Sequence, residues 1–413
     1  MSHGVPPLRR PGVQPWNDPA AYWGGITRAV AGIDAPVGVI ELNALAHNAY
    51  DMLDRADGVP IRVASKSIRV RSVLDAVLAL PGYAGVLAFT LAEAIWLSAT
   101  IDDVVVGYPT ADRSAIAALA ADPVAASRVT LMVDSVEHLD FIDSVVAPSQ
   151  RETLRVAIEL DASYDSRLLG RLGVWRSPVH TAEQAEQLAG RIVARPGFAL
   201  VGMMAYESQI AGLQDSPPGA GLRGVIVRDM QRRSFAEIRD RRTAAVLAVR
   251  AVADLEFVNG GGTGSLHLTR TDSSVTDIAA GSGLLAGHTF DGFAAFQPAP
   301  AASWGLSVVR KPTNDRATVL GGGWIASGPP GPDRLPRVVW PEGLTMAKHE
   351  QAGEVQTPLA GEAAFSLGVG DRVWFRHAKS GELSERIEAF HLVDGDTVVD
   401  VVPTYRGEGK AFL

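Results

Sequence analysis

Short apolar runs alternate with longer Ala- and Leu-rich segments through the first three-quarters of the chain. Continuous apolar runs are typical of parallel strands that are buried on both faces. Eight such runs match a (β/α)8 barrel of the TIM type, which needs ~250 residues. An open doubly wound sheet gives the same pattern, so both α/β folds stay open at this point. The predicted strands are Ile61–Ala64, Val86–Phe89, Val104–Val106, Val129–Val133, Leu154–Leu160, Ala199–Ala205, Glu256–Val258 and Val275–Ala279.

The texture of the sequence changes after about Pro298, where short strand-like segments are separated by Gly, Pro and Asp-Gly turns. This pattern is typical of an antiparallel β domain. We therefore predict an N-terminal arm over residues 1–35, a barrel over 36–298 and a C-terminal β domain over 299–413. The first strand, within residues 36–45, is expected to join the β domain. The predicted barrel helices are Arg71–Leu80, Ala111–Ala121, Ser135–Val145, Ala182–Ala194 and Met230–Val252.

Composition excludes several classes of protein. The chain of 413 residues has no cysteine, so a disulfide scaffold, a thiolate nucleophile and a cysteine-based metal site are all excluded. The net charge of −8 argues against a nucleic-acid partner, which usually requires a basic surplus. The longest apolar stretch is too short to span a membrane and contains Glu93. Without an apolar leader at the N-terminus, we expect a cytoplasmic protein that binds no membrane.

Lys66 follows the first predicted barrel strand directly. Barrel enzymes place their catalytic groups at the carboxyl ends of the strands. A lysine at that place can form a Schiff base when burial or neighbouring cations lower its pKa. The alternative is a solvated lysine in a loop that also contains Arg62 and Arg69. The sequence therefore makes Lys66 the first candidate for a catalytic residue.

Two glycine-rich loops follow the seventh and eighth predicted strands, at residues 260–265 and 280–283. Phosphate sites of barrels often use these two loops, whose backbone amides can donate to an anion. The first loop lacks the lysine of a P-loop, and its spacing differs from that of a dinucleotide fingerprint. Two tight turns without a ligand are the alternative. The candidate residues are Gly262, Thr263, Gly264, Ser265, Ser282 and Gly283.

In their order and spacing, these segments resemble the fold-type III pyridoxal 5'-phosphate (PLP) enzymes. The resemblance is to the branch that contains D-threonine aldolase and D-serine dehydratase, related to the alanine racemase N-terminal domain. The resemblance is carried by five features: the segments Val39–Leu45 and Arg62–Lys66, the segment Glu159–Val174 with its Arg-x-Gly, the two glycine loops, and the tail with His377 followed by Asp394–Asp400. Together these features extend over roughly residues 35–410.

The resemblance implies roles for individual residues. Lys66 would hold PLP as an internal aldimine and move the proton at Cα of the substrate. Arg171 would face the pyridine end of the cofactor, and Tyr206 would lie beside it. The six residues of the two glycine loops would bind the phosphate. The family also implies a homodimer in which each active site is shared between the barrel of one subunit and the β domain of the other.

The tail departs from the family pattern, which has a metal-binding His-x-Asp or His-x-Cys pair. Here the segment is His377-Ala378-Lys379. A protonated lysine has no lone pair to offer a cation, so whether a divalent metal binds at His377 stays open. The other candidate ligands are His349, Glu350, Glu382 and His391. A second hypothesis is that the Lys379 ammonium replaces the metal and polarises the β-hydroxyl of the substrate.

The predicted function is that of a PLP-dependent lyase. It would act on a β-hydroxy amino acid of D configuration, by aldol or retro-aldol chemistry, with an aldehyde as the second small molecule. The catalytic residues would be Lys66, Tyr206, His377 and Lys379. A D-serine dehydratase-like deaminase and an amino-acid racemase are alternatives, although Tyr405 is the only tyrosine after Tyr206 that could supply a racemase base. Two further alternatives are a non-enzymatic PLP carrier and a phosphate-binding barrel enzyme of another class.

Overall fold

The computed structural model describes residues 4–166, 170–328 and 331–413. Its strands are β1 (Val37–Glu41), β2 (Ile61–Ala64), β3 (Tyr83–Ala88), β4 (Val104–Val106), β5 (Val129–Val133), β6 (Leu154–Glu159), β7 (Tyr164–Ser166), β8 (Gly170–Leu172), β9 (Phe198–Ala205), β10 (Phe257–Gly260), β11 (Asp277–Ala280), β12 (Ala302–Thr313), β13 (Arg316–Leu320), β14 (Arg337–Trp340), β15 (Thr345–Met346), β16 (Gln356–Ala360), β17 (Arg372–Arg376), β18 (Ala389–Asp394) and β19 (Thr397–Pro403). Its α-helices are α1 (Pro19–Ala29), α2 (Leu42–Ala56), α3 (Arg71–Leu78), α4 (Leu91–Ser98), α5 (Arg113–Ala121), α6 (Pro123–Arg128), α7 (Val136–Val145), α8 (Ala182–Val193), α9 (Ser208–Ala211), α10 (Gly221–Arg250), α11 (Leu266–Thr269), α12 (Ser282–Leu285) and α13 (Ser380–Ser384).

Eight parallel strands close into a barrel in the order β10-β11-β2-β3-β4-β5-β6-β9. Each of these strands overlaps one of the eight apolar runs, and the closed order excludes the open doubly wound sheet. The fold prediction is therefore confirmed. The largest difference in the predicted helices is at α10, which begins at Gly221 and not near Met230. Its first turns carry exposed apolar side chains, so they lack the buried stripe by which a helix is recognised in sequence.

A second sheet of nine strands follows the barrel in sequence. Its main path is β15-β16-β13-β12-β1-β18-β19, and β17 pairs with both β12 and β14. The pairing is antiparallel except where β1 lies parallel to β18. Strand β1, although it precedes the barrel, therefore lies in the middle of this second sheet. The sheet is held against the barrel because α2 continues directly from β1.

The N-terminal segment packs on the second sheet of its own chain. Helix α1 is capped by Asp18, whose carboxylate accepts a hydrogen bond from the amide of Ala21. The helix buries Trp23 and Ile26. The Trp23 ring stacks on Trp374 with centroids 6.1 Å apart.

A buried ion cluster fills the amino-terminal end of the barrel. Arg62 in β2 is 3% exposed and binds Asp277 in β11 and Asp103 before β4, each at 2.8 Å. Asn259 adds a hydrogen bond of 2.6 Å to Asp277. Paired charges thus occupy this end of the barrel, and the open space lies at the carboxyl ends of the strands. No helix in the described part of the chain is long and apolar enough to cross a membrane.

Candidate active site

A cavity of about 620 Å³ opens at the carboxyl ends of the barrel strands. The barrel loops form one wall, which we call the barrel wall. The other, the sheet wall, belongs to loops of the second sheet and consists of Ser327, Asp333, Arg334, Lys379, Gly381 and Glu382. Of the residues predicted from sequence, the cavity brings together Lys66, Tyr206, Gly262, Thr263, Ser282 and Lys379. The predicted residues that do not line it are Arg171, Gly264, Ser265, Gly283 and His377.

Lys66 lies in a single 3₁₀ turn, Ser65–Ser67, that begins where β2 ends. Its side chain is exposed to the cavity, and its Nζ donates a hydrogen bond of 3.0 Å to the hydroxyl of Tyr108. Tyr108 follows β4 by two residues, so it also stands at the carboxyl end of a barrel strand. The position of Tyr108 just after an apolar strand could have marked it as a site residue in the sequence, but Tyr108 belongs to no recognised motif.

Arg176 brings a positive charge between two aromatic rings of the barrel wall. Its guanidinium carbon lies 5.4 Å from the ring centre of Tyr108 and 5.8 Å from that of Tyr206. Burial raises the pKa of the Tyr206 hydroxyl above its usual value, although the charge of Lys66 opposes the shift. Tyr206 is therefore a neutral hydrogen-bonding group at neutral pH. Arg176 forms no ion pair with any carboxylate of the described residues, so its charge is available to a ligand.

Arg171 lies in the hairpin of β7 and β8, with its charge already neutralised. It forms an ion pair with Asp161 and donates to the Ser163 hydroxyl at 2.7 Å. Burial of Asp161 opposes its ionisation, but the hydrogen bonds from Ser163 and Arg171 outweigh burial and lower its pKa. Arg176, five residues further along the chain, lines the cavity, whereas Arg171 does not.

The two glycine loops meet at the cavity and enclose a small concave surface. A Cβ atom on Gly262 would lie 2.8 Å from Ala211, and one on Gly281 would lie 2.4 Å from the carbonyl oxygen of Ala64. The Thr263 hydroxyl accepts the amide of Gly283 at 3.0 Å, which ties one loop to the other. Glycine is required at these positions because any side chain would collide with the backbone or fill the concave surface.

Two buried amides of the first loop have no acceptor in the described part of the chain. Those of Thr263 and Gly264 form no hydrogen bond, although Thr263 is only 5% exposed. Buried backbone amides are rarely left unpaired, so an acceptor is missing from this surface. The Ser282 hydroxyl lies beside it, 3.1 Å from that of Ser67. The group that would complete the site is a small anion with several oxygen atoms.

Ser265 supports this loop from behind, and the Cα side of Gly264 packs against the chain at Ala211. Ser265 is fully buried, and its hydroxyl accepts a hydrogen bond of 3.1 Å from the Gly262 amide and lies 3.1 Å from the Thr269 hydroxyl. A Cβ on Gly264 would lie 2.3 Å from the carbonyl oxygen of Ala211, so this glycine allows a close approach of two backbones.

The sheet wall is made of charged side chains. Arg334 pairs with Asp333 at 2.7 Å, and Glu382 accepts the amide and hydroxyl of Ser327 at 3.1 and 3.2 Å. Lys379 lies half-buried among them and forms no ion pair with a described carboxylate. Burial and then the charge of Arg334 lower the pKa of its ammonium, with a further contribution from Lys66. The two lysines therefore face a common space from opposite walls.

His377 lies behind the sheet wall. It is 3% exposed, and neither ring nitrogen has a hydrogen-bond partner in the described part of the chain. Burial, with the charge of Arg376 and the neighbouring His288, lowers its pKa to about 3. Within residues 4–166, 170–328 and 331–413, no three His, Asp or Glu side chains come close enough to hold a metal ion. With Lys379 on the cavity side, the donor set at this place does not fit a divalent metal.

The chain belongs to the family described as alanine racemase, N-terminal domain, whose model matches residues 40–253. It is also similar to 3-hydroxy-D-aspartate aldolase from Paracoccus denitrificans (strain Pd 1222), with 25% identity over 264 residues. This similarity spans 60% of each of the two chains. The family resemblance that the motifs predicted is therefore confirmed.

Solved structures of low sequence identity share the fold over nearly the whole chain. D-threonine aldolase from Filomicrobium marinum superposes with a TM-score of 0.76 at 19% identity, covering 92% of this chain and 96% of that one. D-threo-3-hydroxyaspartate dehydratase from Delftia sp. HT23 has a TM-score of 0.70 at 18% identity, with 91% and 98% covered. The barrel and the second sheet thus form an architecture common to these proteins.

Proposed function

We propose that this protein is a PLP-dependent lyase that cleaves or forms β-hydroxy amino acids of D configuration by an aldol step. The observation that carries the proposal is the placement of Lys66 and the open anion site of the two glycine loops in one cavity. A lysine able to bind an aldehyde and an anion site within the same barrel wall match the two ends of PLP. The named activities of the similar aldolases support the choice of reaction class.

The residues of the barrel wall fit this cofactor. Lys66 would hold its aldehyde end, and the Thr263 and Gly264 amides with the Ser282 hydroxyl would hold its phosphate. Arg176, between the Tyr108 and Tyr206 rings, would face the polar groups of the cofactor and of the substrate amino acid. When bound, PLP withdraws electrons from Cα of an amino acid and so weakens the bonds at that carbon. Lys66 is the group that would then move a proton at Cα.

Aldol cleavage also requires that negative charge on the β-oxygen of the substrate be stabilised. Lys379 is the cation that the sheet wall presents across the cavity from Lys66, and it would polarise the β-hydroxyl as a point charge. No step is assigned to a metal, because the donor set around His377 does not fit one. His377 itself is buried and neutral, so we assign it to the support of the Lys379 segment.

Two alternatives differ in the fate of the β-hydroxyl and of Cα. Dehydration would expel hydroxide and yield a keto acid, whereas a racemase would need a second base on the opposite face of Cα. Tyr405 does not suit that task, because it is 1% exposed and donates to the Glu93 carboxylate at 2.9 Å. A carrier of the cofactor would have no use for the charged sheet wall.

A screen of D- and L-β-hydroxy amino acids tests the proposal, with aldehyde, keto acid and the change of enantiomer measured in the same reactions. We expect an aldehyde and glycine from a D substrate in the presence of PLP. Keto acid as the sole product would assign the chain to the dehydratases instead. The absence of any product with PLP present would refute a lyase function.

We also propose a cytoplasmic homodimer with shared active sites. Exposed apolar side chains stand next to cavity residues: Trp175 beside Arg176 is 70% exposed, and Leu222 beside Arg223 is 83% exposed. Large exposed apolar side chains favour coverage by a second subunit. Light scattering during size-exclusion chromatography measures the mass, and a monomer at micromolar concentration would contradict this assembly.

A further inference from the structure

Glu207, which follows Tyr206 directly, is a carboxylate with no solvent exposure behind the first glycine loop. It accepts the amide of Gly261 at 2.9 Å and the hydroxyl of Thr269 at 2.8 Å. One carboxylate therefore joins the end of β9 to the loop after β10 and to helix α11. The mechanism proposed above makes no use of this buried charge.

Arg242, at 1% exposure in the last third of α10, is the counter-charge. Its Nη1 lies 3.5 Å from Glu207, and its Nε and Nη2 bind Asp272 at 2.9 and 2.8 Å. Burying three charged groups carries a large desolvation cost, and such clusters contribute little net stability compared with apolar packing. The clear effect of this cluster is geometric, because the Glu207 carboxylate that Arg242 faces fixes the orientation of the Gly261 amide.

The group that Glu207 fixes is the first amide of the glycine loop. Gly261 has a positive φ of 75°, which favours glycine, and its N–H points away from the cavity toward Glu207. The next amide, that of Gly262, is taken by Ser265 at 3.1 Å. The following two, those of Thr263 and Gly264, are the unpaired donors of the anion site. The loop thus has its first amides fixed inward, which leaves the later ones for a ligand.

We propose that Glu207 is a positioning residue for an anion of the phosphate monoester class, acting through the Gly261 amide and supported by Arg242 and Thr269. It does not touch the anion. Its carboxylate selects the loop conformation in which the amides of Thr263 and Gly264 stay open. This inference depends on the proposed function only in taking the phosphate of PLP as that anion.

The test compares binding of PLP with binding of pyridoxal, which has the aldehyde but no phosphate, to the full chain freed of cofactor. For Glu207→Gln we expect PLP affinity to fall ~10-fold, the effect of weakening one charged hydrogen bond, while pyridoxal affinity changes less than about twofold. Thr269→Val removes one donor and leaves the carboxylate in place, so about a threefold loss specific to PLP is expected. Glu186→Gln, an exposed carboxylate on α8, is the matched control and should change neither affinity.

Circular dichroism and thermal unfolding of each variant identify any loss of fold, and if Glu207→Gln does not fold, Thr269→Val carries the test alone. Equal losses for PLP and pyridoxal, or unchanged PLP affinity in the folded variants, would overturn the positioning role. A wild-type protein that binds PLP no better than pyridoxal would overturn the assignment of the glycine loops to a phosphate. That result would refute the proposed cofactor site, whereas a failure of the variants alone leaves it intact.

Discussion

The barrel wall and the sheet wall of the cavity are built on different physical principles. On the barrel wall, loops leave the ends of hydrogen-bonded parallel strands, and buried groups such as Glu207 and Ser265 fix the backbone from behind. On the sheet wall, partly exposed charges are each held by one other residue, Arg334 by Asp333 and Glu382 by Ser327. The first wall is suited to hold a constant group in one geometry, and the second to meet substrates that vary.

This difference gives each wall its own expected response to mutation. Changes in the barrel wall should affect cofactor binding and the reaction together, because the same backbone supports both. Changes in the sheet wall should alter the reaction while the cofactor remains bound. Each of the following predictions tests whether that division is correct.

The largest effect is expected for Lys66→Ala on the barrel wall. Loss of the amine should remove the covalent link to PLP and lower turnover ~10³-fold, since a positioned acid–base group contributes that order of rate. Borohydride reduction followed by peptide mass spectrometry measures the link. Lys348→Ala, which changes an exposed lysine in the turn between β15 and β16, is the control and should behave as wild type. Turnover of Lys66→Ala within tenfold of wild type would be incompatible with the assignment.

The barrel wall was also the part of the site that sequence could predict. Lys66, Thr263 and Ser282 follow strands in positions where barrels place ligands, and strand ends can be located from apolar runs. Arg176 could not be found in this way, because it reaches the cavity only through the path of the chain after the β7–β8 hairpin. Arg171 matches a family motif, but a motif does not show that Asp161 is close enough to neutralise it.

The sheet wall was harder to predict for a related reason. Its loops are placed by pairings distant in sequence, such as β1 between β12 and β18, which no local pattern reveals. Lys379 was found only because it interrupts an expected ligand pair. His377 looked equally promising in sequence, yet the fold turns it into the protein interior, away from the cavity lining.

The second prediction is that Lys379→Ala lowers kcat of the aldol step ~10²-fold, the order of effect seen when one stabilising charge is removed from an oxyanion. Affinity for PLP should remain within twofold, because the barrel wall is intact. Lys379→Arg keeps the charge and should retain more of the rate. The measurements are steady-state kinetics and a cofactor titration on the same preparations.

The role assigned to Lys379 would be contradicted if the activity depended on a divalent metal. We expect EDTA to leave the rate of wild type unchanged and metal analysis to find no stoichiometric divalent ion. A tightly bound ion whose removal abolishes activity, and whose return restores it, would show that the sheet wall holds a metal in spite of its lysine.

The third prediction concerns Glu159 at the end of β6, where burial raises the pKa of the carboxyl to about 7. Such a group binds its proton more tightly in the folded protein than in the unfolded chain. Its stabilising contribution is complete below the unfolded pKa of 4.5 and is lost as the pH rises through about 7. Glu159→Gln should therefore reduce the fall in unfolding free energy between pH 5 and pH 8 by roughly 2 kcal/mol.

Urea unfolding of the cofactor-free protein at both pH values measures this change. Glu93, whose pKa burial also raises to about 7, remains in the variant and should preserve part of the pH dependence. An equally steep loss of stability in Glu159→Gln would mean that the barrel wall contains no buried carboxyl of this kind at residue 159.

The smallest effect separates the two neighbouring guanidinium groups. Arg176 projects between the Tyr108 and Tyr206 rings with no carboxylate partner in the described chain, so Arg176→Gln should raise the KM of the amino acid ~10-fold through loss of one charged contact. Arg171→Gln breaks an ion pair outside the cavity and should lower thermal stability with less than about a twofold effect on KM. Steady-state kinetics and thermal unfolding of both variants show which of the two arginines contacts the ligand. The opposite pattern would place Arg171 at the ligand and make the hairpin, with its Asp161 pair, a part of the barrel wall that changes shape on binding.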